Sequence, residues 1–232
     1  MSVALITGAS RGLGRELAHG LAARGWRLVI DARGRDELVA LATELGPGVM
    51  AVPGDIADPA HRAELGSAVR GLGRVDLIVN NASTLGPSPL PPLARYPLDG
   101  LDDVFLTNVL APLGLTQVLL PELRVARGAV VNISSDAAVE AYPGWGGYGA
   151  AKAALDHLSA VLAVEEPDID VYSFDPGDMR TDMHQAAFPD EDISDRPEPE
   201  TVVPAFLRLL DERPASGRYR AAGFPALVEA SA

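Results

Sequence analysis

Tyr148 and Lys152 stand four residues apart in Gly147-Tyr148-Gly149-Ala150-Ala151-Lys152, and Ser135 lies thirteen residues before the tyrosine. On a helix, a spacing of four puts both side chains on one face. A phenol is a poor acid at neutral pH, with an unperturbed pKa of about 10. A lysine ammonium beside it would favour the phenolate and lower that value. A shift of about three units takes roughly 4 kcal/mol of differential interaction. A tyrosine tuned in this way gives or takes a proton near pH 7. A serine hydroxyl alongside can hold a carbonyl oxygen while its charge changes. These groups suit the interconversion of a carbonyl and an alcohol. They lack a hydride donor.

The N-terminal segment offers a place for one. Val3 to Thr7 reads as a buried strand, and Gly8-Ala9-Ser10-Arg11-Gly12-Leu13-Gly14 follows at once. Leu13, Leu17 and Leu21 then recur at helical spacing. Strand, glycine turn and helix together aim backbone N–H groups and a helix N-terminus at a phosphate. The spacing is neither G-x-G-x-x-G nor a Walker A loop. By themselves the glycines also fit a plain tight connection.

The other elements follow in order. Leu28 to Ile30 is a strand ending at Asp31-Ala32-Arg33. Asp31 and Arg33 compete to read the adenosine ribose, an acid favouring a free 2′-hydroxyl and a cation a 2′-phosphate. Glu37 to Leu45 reads as a helix, and Val49 to Val52 as a strand leading to Gly54-Asp55-Ile56. Asp55 is either a turn residue or a partner for the adenine amino group. Asp58 is expected to cap the next helix, with Pro59 at its first position. Val75 to Val79 is a strand closed by Asn80-Asn81-Ala82-Ser83, and Gly86 to Gly100 is a proline-rich loop. Leu101 to Leu120 is a helical pattern interrupted by Pro112, which frees the carbonyl of Asn108. Ala129 to Ile133 and Asp170 to Phe174 are strands ahead of Ser134-Ser135 and Asp175-Pro176-Gly177. Pro189 to Glu200 is acidic, proline-rich and expected to be mobile. Thr201 to Leu210 reads as a helix, and Gly217 to Ala222 as a short last strand. The alternation gives an α/β fold: one domain over 1–232 with a doubly wound, Rossmann-like parallel sheet in three layers. The singled-out residues gather just past the strand ends, where such sheets bind ligands.

Composition excludes several classes. A net charge of −13 argues against nucleic acid or anionic membrane as a partner. Without cysteine there is no disulfide, thiol catalysis or Cys-based metal site. His19, His61, His157 and His184 show no ligand spacing, so no metal is expected. Ser134-Ser135 lacks the glycine-flanked elbow of hydrolases. Apolar runs break short of about 18 residues, so no membrane span is expected. The first residues read as a strand and not as a signal peptide, which makes a cytoplasmic location the expectation.

Together these residues resemble the short-chain dehydrogenase/reductase family, in its shorter oxidoreductase form. Thr7-Gly8-Ala9-Ser10-Arg11-Gly12-Leu13-Gly14 is similar to the family's T-G-x-x-x-G-x-G loop, and Asn80-Asn81-Ala82 to its N-N-A segment. Asn108, Ser135, Tyr148 and Lys152 match its tetrad, and Pro176 to Thr181 its P-G-x-x-x-T. The resemblance implies that Tyr148 exchanges the proton and that Ser135 binds the substrate oxygen. Lys152 would tune the phenol and hold the nicotinamide ribose. The Asn108 main-chain carbonyl would hold a relay water, exposed with the help of Pro112.

The implied cofactor set is Gly8, Ser10, Arg11, Gly12, Leu13, Gly14, Arg33, Asp55, Ile56, Asn81, Ala82, Tyr148, Lys152, Pro176, Gly177 and Thr181. Arg11 and Arg33 occupy places that go with NADP(H) over NAD(H) in similar proteins. A small-molecule carbonyl or alcohol substrate follows, lined by segments 84–100 and 178–200, by Asp136 to Tyr142 and by Trp145. The acidic stretch 189–200 is either a lid or a solvated connector. The family implies a homodimer or homotetramer, although Gly217-Arg218-Tyr219-Arg220 departs from its usual apolar last strand. Ser83, in place of the family's frequent glycine, and Asp175 are further departures. The alternative is a non-catalytic NADP-binding regulator on the same fold.

Overall fold

β1 (Val3–Ile6) is buried along its whole length and shows how the sheet is covered. Ala4 and Ile6 face one helical layer, Leu5 the other. A strand apolar at every position needs helices on both faces. The computed structural model describes residues 1–224, and among these the strands form one parallel sheet. They are β2 (Arg27–Ala32), β3 (Val49–Pro53), β4 (Leu77–Asn80), β5 (Ala129–Ile133), β6 (Asp170–Asp175) and β7 (Gly217–Arg220). The order is β3-β2-β1-β4-β5-β6-β7. It reverses between β1 and β4, the point where such sheets open a crevice past their carboxyl ends.

One layer holds α1 (Gly12–Ala23), α2 (Arg35–Leu45) and α8 (Val203–Glu212), with Leu17, Leu21, Leu38, Leu41 and Phe206 fully buried. Helices of this length are marginal alone. Burial of each such side chain contributes about 1.5–3 kcal/mol and docks them. The other layer holds α3 (Pro59–Gly71) and α5 (Ala111–Ala126), which seal Leu65, Val69, Leu115, Leu119 and Leu123 against Leu5, Val29 and Val130. The expected cap is present: the Asp58 carboxylate accepts from Ala60 N at 2.8 Å, with Pro59 starting α3. α6 (Gly146–Glu165) carries Tyr148 and Lys152, and Ala151 packs on Val104 and Val109.

The strands expected from the sequence are present with ends shifted by one or two residues. Two readings need correction. The α4 helix (Leu98–Phe105), the segment Leu106–Leu110 and α5 run on as one helix over 98–126, long and apolar enough to cross a membrane. Its one-sided burial of Leu115, Leu119 and Leu123 makes it a core helix against the sheet. A short α7 (Asp182–Ala187) stands where only a loop was expected, started by the Thr181 hydroxyl accepting from His184 N at 3.1 Å. The acidic stretch 189–200 folds back on the protein: Ile193 and Pro199 are buried, and Pro197 O accepts from Arg180 N.

Candidate active site

The glycine turn is locked to the end of β4. Thr7 Oγ1 accepts from the backbone N–H groups of Asn81 and Ala82, both at 3.0 Å. Asn81 Nδ2 donates to Thr7 O and Gly8 O at 2.9 and 3.0 Å. Gly8 and Gly12 have φ of +65° and +54°, and a Cβ on Gly14 would lie 2.4 Å from Gly8 O. α1 therefore begins pressed against the turn. Its N-cap, Arg11, supplies no side-chain bond and no acid sits in the first turn, so the helix N-terminus faces the cleft uncapped. A dinucleotide phosphate fits such a cradle.

At the rim the two candidates for the ribose part company. Asp31 is 1% exposed and faces inward, its Oδ1 2.6 Å from His61 Nε2. Burial pushes its pKa up to about 6, while the His61 ring and the Gly8 N–H pull it back. Arg33 is exposed on the same cleft. Arg11 also lines it, but pairs with Asp182 of α7 at 2.8 Å. Asp55 forms a turn, its Oδ1 accepting from Ala57 N at 2.9 Å, and Ile56 is buried beside it. Ser10, Leu13, Pro176, Gly177 and Thr181 line the same cleft, whose volume is about 1320 Å³.

Ser135, Tyr148 and Lys152 line that same cleft and meet there. Gly149 allows it: a Cβ there would lie 2.6 Å from Ala137 O, so α6 presses onto the serine loop. Tyr148 is packed among Leu85, Ala137, Ala187, Trp145 and Phe188, with its ring edge-on to Trp145 at 5.6 Å. Lys152 is 2% exposed and donates to Ile133 O at 2.7 Å. Its Nζ lies over the Tyr148 ring, 5.5 Å from the centroid.

This corrects the expected tuning of the phenol by the lysine. Burial dominates and pushes the Tyr148 phenol up, with the Ser135 and Ser83 hydroxyls pulling it back. The same burial lowers Lys152 to about 8. Asn108 lies in Leu106–Leu110, where the helix widens to i→i+5 bonds and Ala111 N donates to Leu106 O. Pro112, four residues on, has no N–H to offer the Asn108 carbonyl. The Asn108 side chain clamps the neighbouring loop: Oδ1 accepts from Thr84 N and Ser83 Oγ, and Nδ2 donates to Thr84 O.

The lining stretch Asp136 to Tyr142 is where the sequence places it, but its bonding partners were not foreseen. Ser135 Oγ donates to Asp136 Oδ1 at 3.0 Å, and Tyr142 Oη lies between Asp136 and Glu140. His61 showed no ligand spacing, and only the fold brings it to Asp31. Asp175 does not face the cleft as a free carboxylate, because Arg218, Arg220 and Gly177 N all bond it. Among the described residues no group of three or more His, Cys, Asp or Glu is arranged to hold a metal ion.

The family model for short chain dehydrogenases matches residues 2–192. Sepiapterin reductase of Mus musculus is 39% identical over 202 residues, covering 80% of this chain and 77% of that protein. L-Xylulose reductase of Bos taurus is 36% identical over 224 residues, covering 90% and 89%. A short chain dehydrogenase from Shigella flexneri, solved in complex with NADP, superposes with a TM-score of 0.89 at 30% identity and covers 95% of this chain and 97% of its own. Matches of this length and identity lead to one assignment: the chain belongs to the short chain dehydrogenase family, and is an NAD(P)-dependent oxidoreductase of carbonyl and alcohol groups.

Proposed function

We propose that this enzyme is an NADP(H)-dependent carbonyl reductase that gives its substrate oxygen a proton from Tyr148. The observation carrying this reading is one cleft lined by the phenol, the serine, the lysine and an uncapped helix N-terminus. The bound nicotinamide would supply the hydride. Burial keeps Tyr148 protonated, as a donor in reduction must be. The Ser135 hydroxyl rotates from Asp136 to donate to the carbonyl oxygen, a freedom every hydroxyl has. Lys152, near 8, stays cationic at neutral pH and holds the ribose side of the site. The Asn108 carbonyl would hold the water that returns a proton to Lys152.

Asp31 is held by His61, and Arg33 stands exposed on the cleft beside Glu37 and Asp55; a cation at that strand end favours a 2′-phosphate. The NADP held by the Shigella flexneri relative supports the same choice. Leu85, Trp145, Met183 and Phe188 wall the substrate end and suit an apolar or aromatic group on the ketone. A homodimer or homotetramer is taken from the family, whose members are commonly oligomeric. The test is titration with NADPH and NADH, then a panel of diketones, quinones and aldehydes with the tighter cofactor. NADPH is expected to bind at least about tenfold more tightly, a difference of about 1.4 kcal/mol. Tighter NADH would reverse the cofactor choice. Binding without turnover on any carbonyl would favour the non-catalytic regulator.

A further inference from the structure

Arg218 stands on β7, the strand that departs from the family's apolar pattern, and its side chain reaches across β6 into the catalytic end. Nη2 donates to Ser135 O at 2.9 Å and to Asp175 Oδ2 at 3.0 Å, and Nε donates to Asp156 Oδ2 at 3.1 Å. Asp156 Oδ2 also accepts from the Ser134 hydroxyl at 2.8 Å. Asp175 Oδ1 accepts from Gly177 N at 3.0 Å, and its Oδ2 from Arg220 Nε at 3.1 Å. The Asp175 side chain is 2% exposed and Asp156 15%, so both carboxylates lie in a poorly solvated region where an opposite charge matters.

Resting on the reductase reading above, we infer that Arg218 is a positioning residue for this reaction: one guanidinium ties the Ser135 loop to the Asp175–Gly177 turn and neutralises the two carboxylates flanking Tyr148 and Lys152. Asp156 lies one helical turn after Lys152 and favours its charged form. Asp175 and Asp136 disfavour the phenolate of Tyr148. Arg220 also bonds Asp175 from β7, and His184 and Asp178 line the cleft from α7 and the turn before it. Losing Arg218 leaves Asp156 and Asp175 less compensated. Tyr148 and Lys152 then keep their protons to higher pH. A planar fork makes three bonds at once, which an ammonium at the same place cannot reproduce.

The experiment is the pH profile of kcat for NADPH-dependent reduction in wild type, Arg218→Met and Arg218→Lys, with NADPH affinity measured alongside. In Arg218→Met the alkaline limb is expected to move up by about one unit. Its kcat should fall about tenfold, with the NADPH Kd within about threefold of wild type. Arg218→Lys should keep the wild-type limb while losing part of kcat. An Arg218→Met limb at the wild-type position, whatever the loss of rate, would overturn the inference. Should Arg218→Met fail to fold, Asp156→Asn decides: a limb moved to lower pH supports it, and an unmoved limb overturns it. Wild-type protein with no turnover would instead sink the reductase reading itself.

Discussion

Asp31 Oδ1 lies 2.6 Å from His61 Nε2, both side chains closed off from solvent beside the glycine turn. A strand-end carboxylate that could have met a ribose is thereby turned into the protein. Burial raises its pKa from the ordinary 3.8 to about 6. An acid raised on folding contributes stability that is complete below its unfolded pKa and is lost as pH rises through the folded one. Asp31→Asn is neutral throughout and removes this dependence. Urea unfolding at pH 4, 5, 6 and 7 should show wild type losing up to about 3 kcal/mol relative to Asp31→Asn across that window. A constant difference between the two proteins would contradict the buried-acid assignment.

Cofactor choice should depend on Arg33 more than on Arg11. Arg33 is exposed at the rim, whereas Arg11 is held by Asp182. A hydrogen-bonded contact to a charged phosphate contributes about 1.5–3 kcal/mol. Arg33→Ala should therefore weaken NADPH about 10- to 100-fold and NADH less than twofold, by fluorescence titration. The Arg11–Asp182 pair is exposed and contributes at most about 1 kcal/mol. Asp182→Asn should leave the fold intact and tighten NADPH by no more than about fivefold. Equal losses for the two cofactors in Arg33→Ala would contradict a 2′-phosphate contact.

The glycine turn tolerates no added carbon at position 14. A Cβ there meets Gly8 O at 2.4 Å and Asn81 Nδ2 at 2.5 Å, atoms fixed by the lock to β4. Gly14→Ala should cost about 1–3 kcal/mol of stability by overpacking. Separating α1 from the turn should also weaken both NADPH and NADH at least about tenfold. Thermal unfolding and titration read the two effects, and wild-type values for both would refute the close approach.

The alternation of strands and helices was legible because the inner strands, β1 above all, are apolar on both faces and glycine, asparagine or proline marks the turns between elements. The Tyr148–Lys152 spacing was legible for the same local reason, since a helix fixes which side chains share a face. Contacts between distant segments were not. His61 lies thirty residues from Asp31, and Arg218 more than forty from Asp156 and Asp175. The tuning of Tyr148 was misread because spacing says nothing of burial. Desolvation is the leading influence on the phenol, and the Lys152 ammonium turns to Ile133 O. The helix over 98–126 was read too short, since its widened segment at Asn108 carries the chain past Pro112 without a break. A proline is tolerated where the local bonding already shifts.

The most direct measurement is steady-state reduction by Tyr148→Phe, with NADPH binding measured on the same protein. Phenylalanine keeps the ring against Trp145 and removes the hydroxyl that carries the proton. kcat should fall about 100- to 10,000-fold, the range for a lost general acid, with the NADPH Kd within about threefold of wild type. Turnover by Tyr148→Phe at the wild-type rate would contradict the assignment of this phenol as the proton donor.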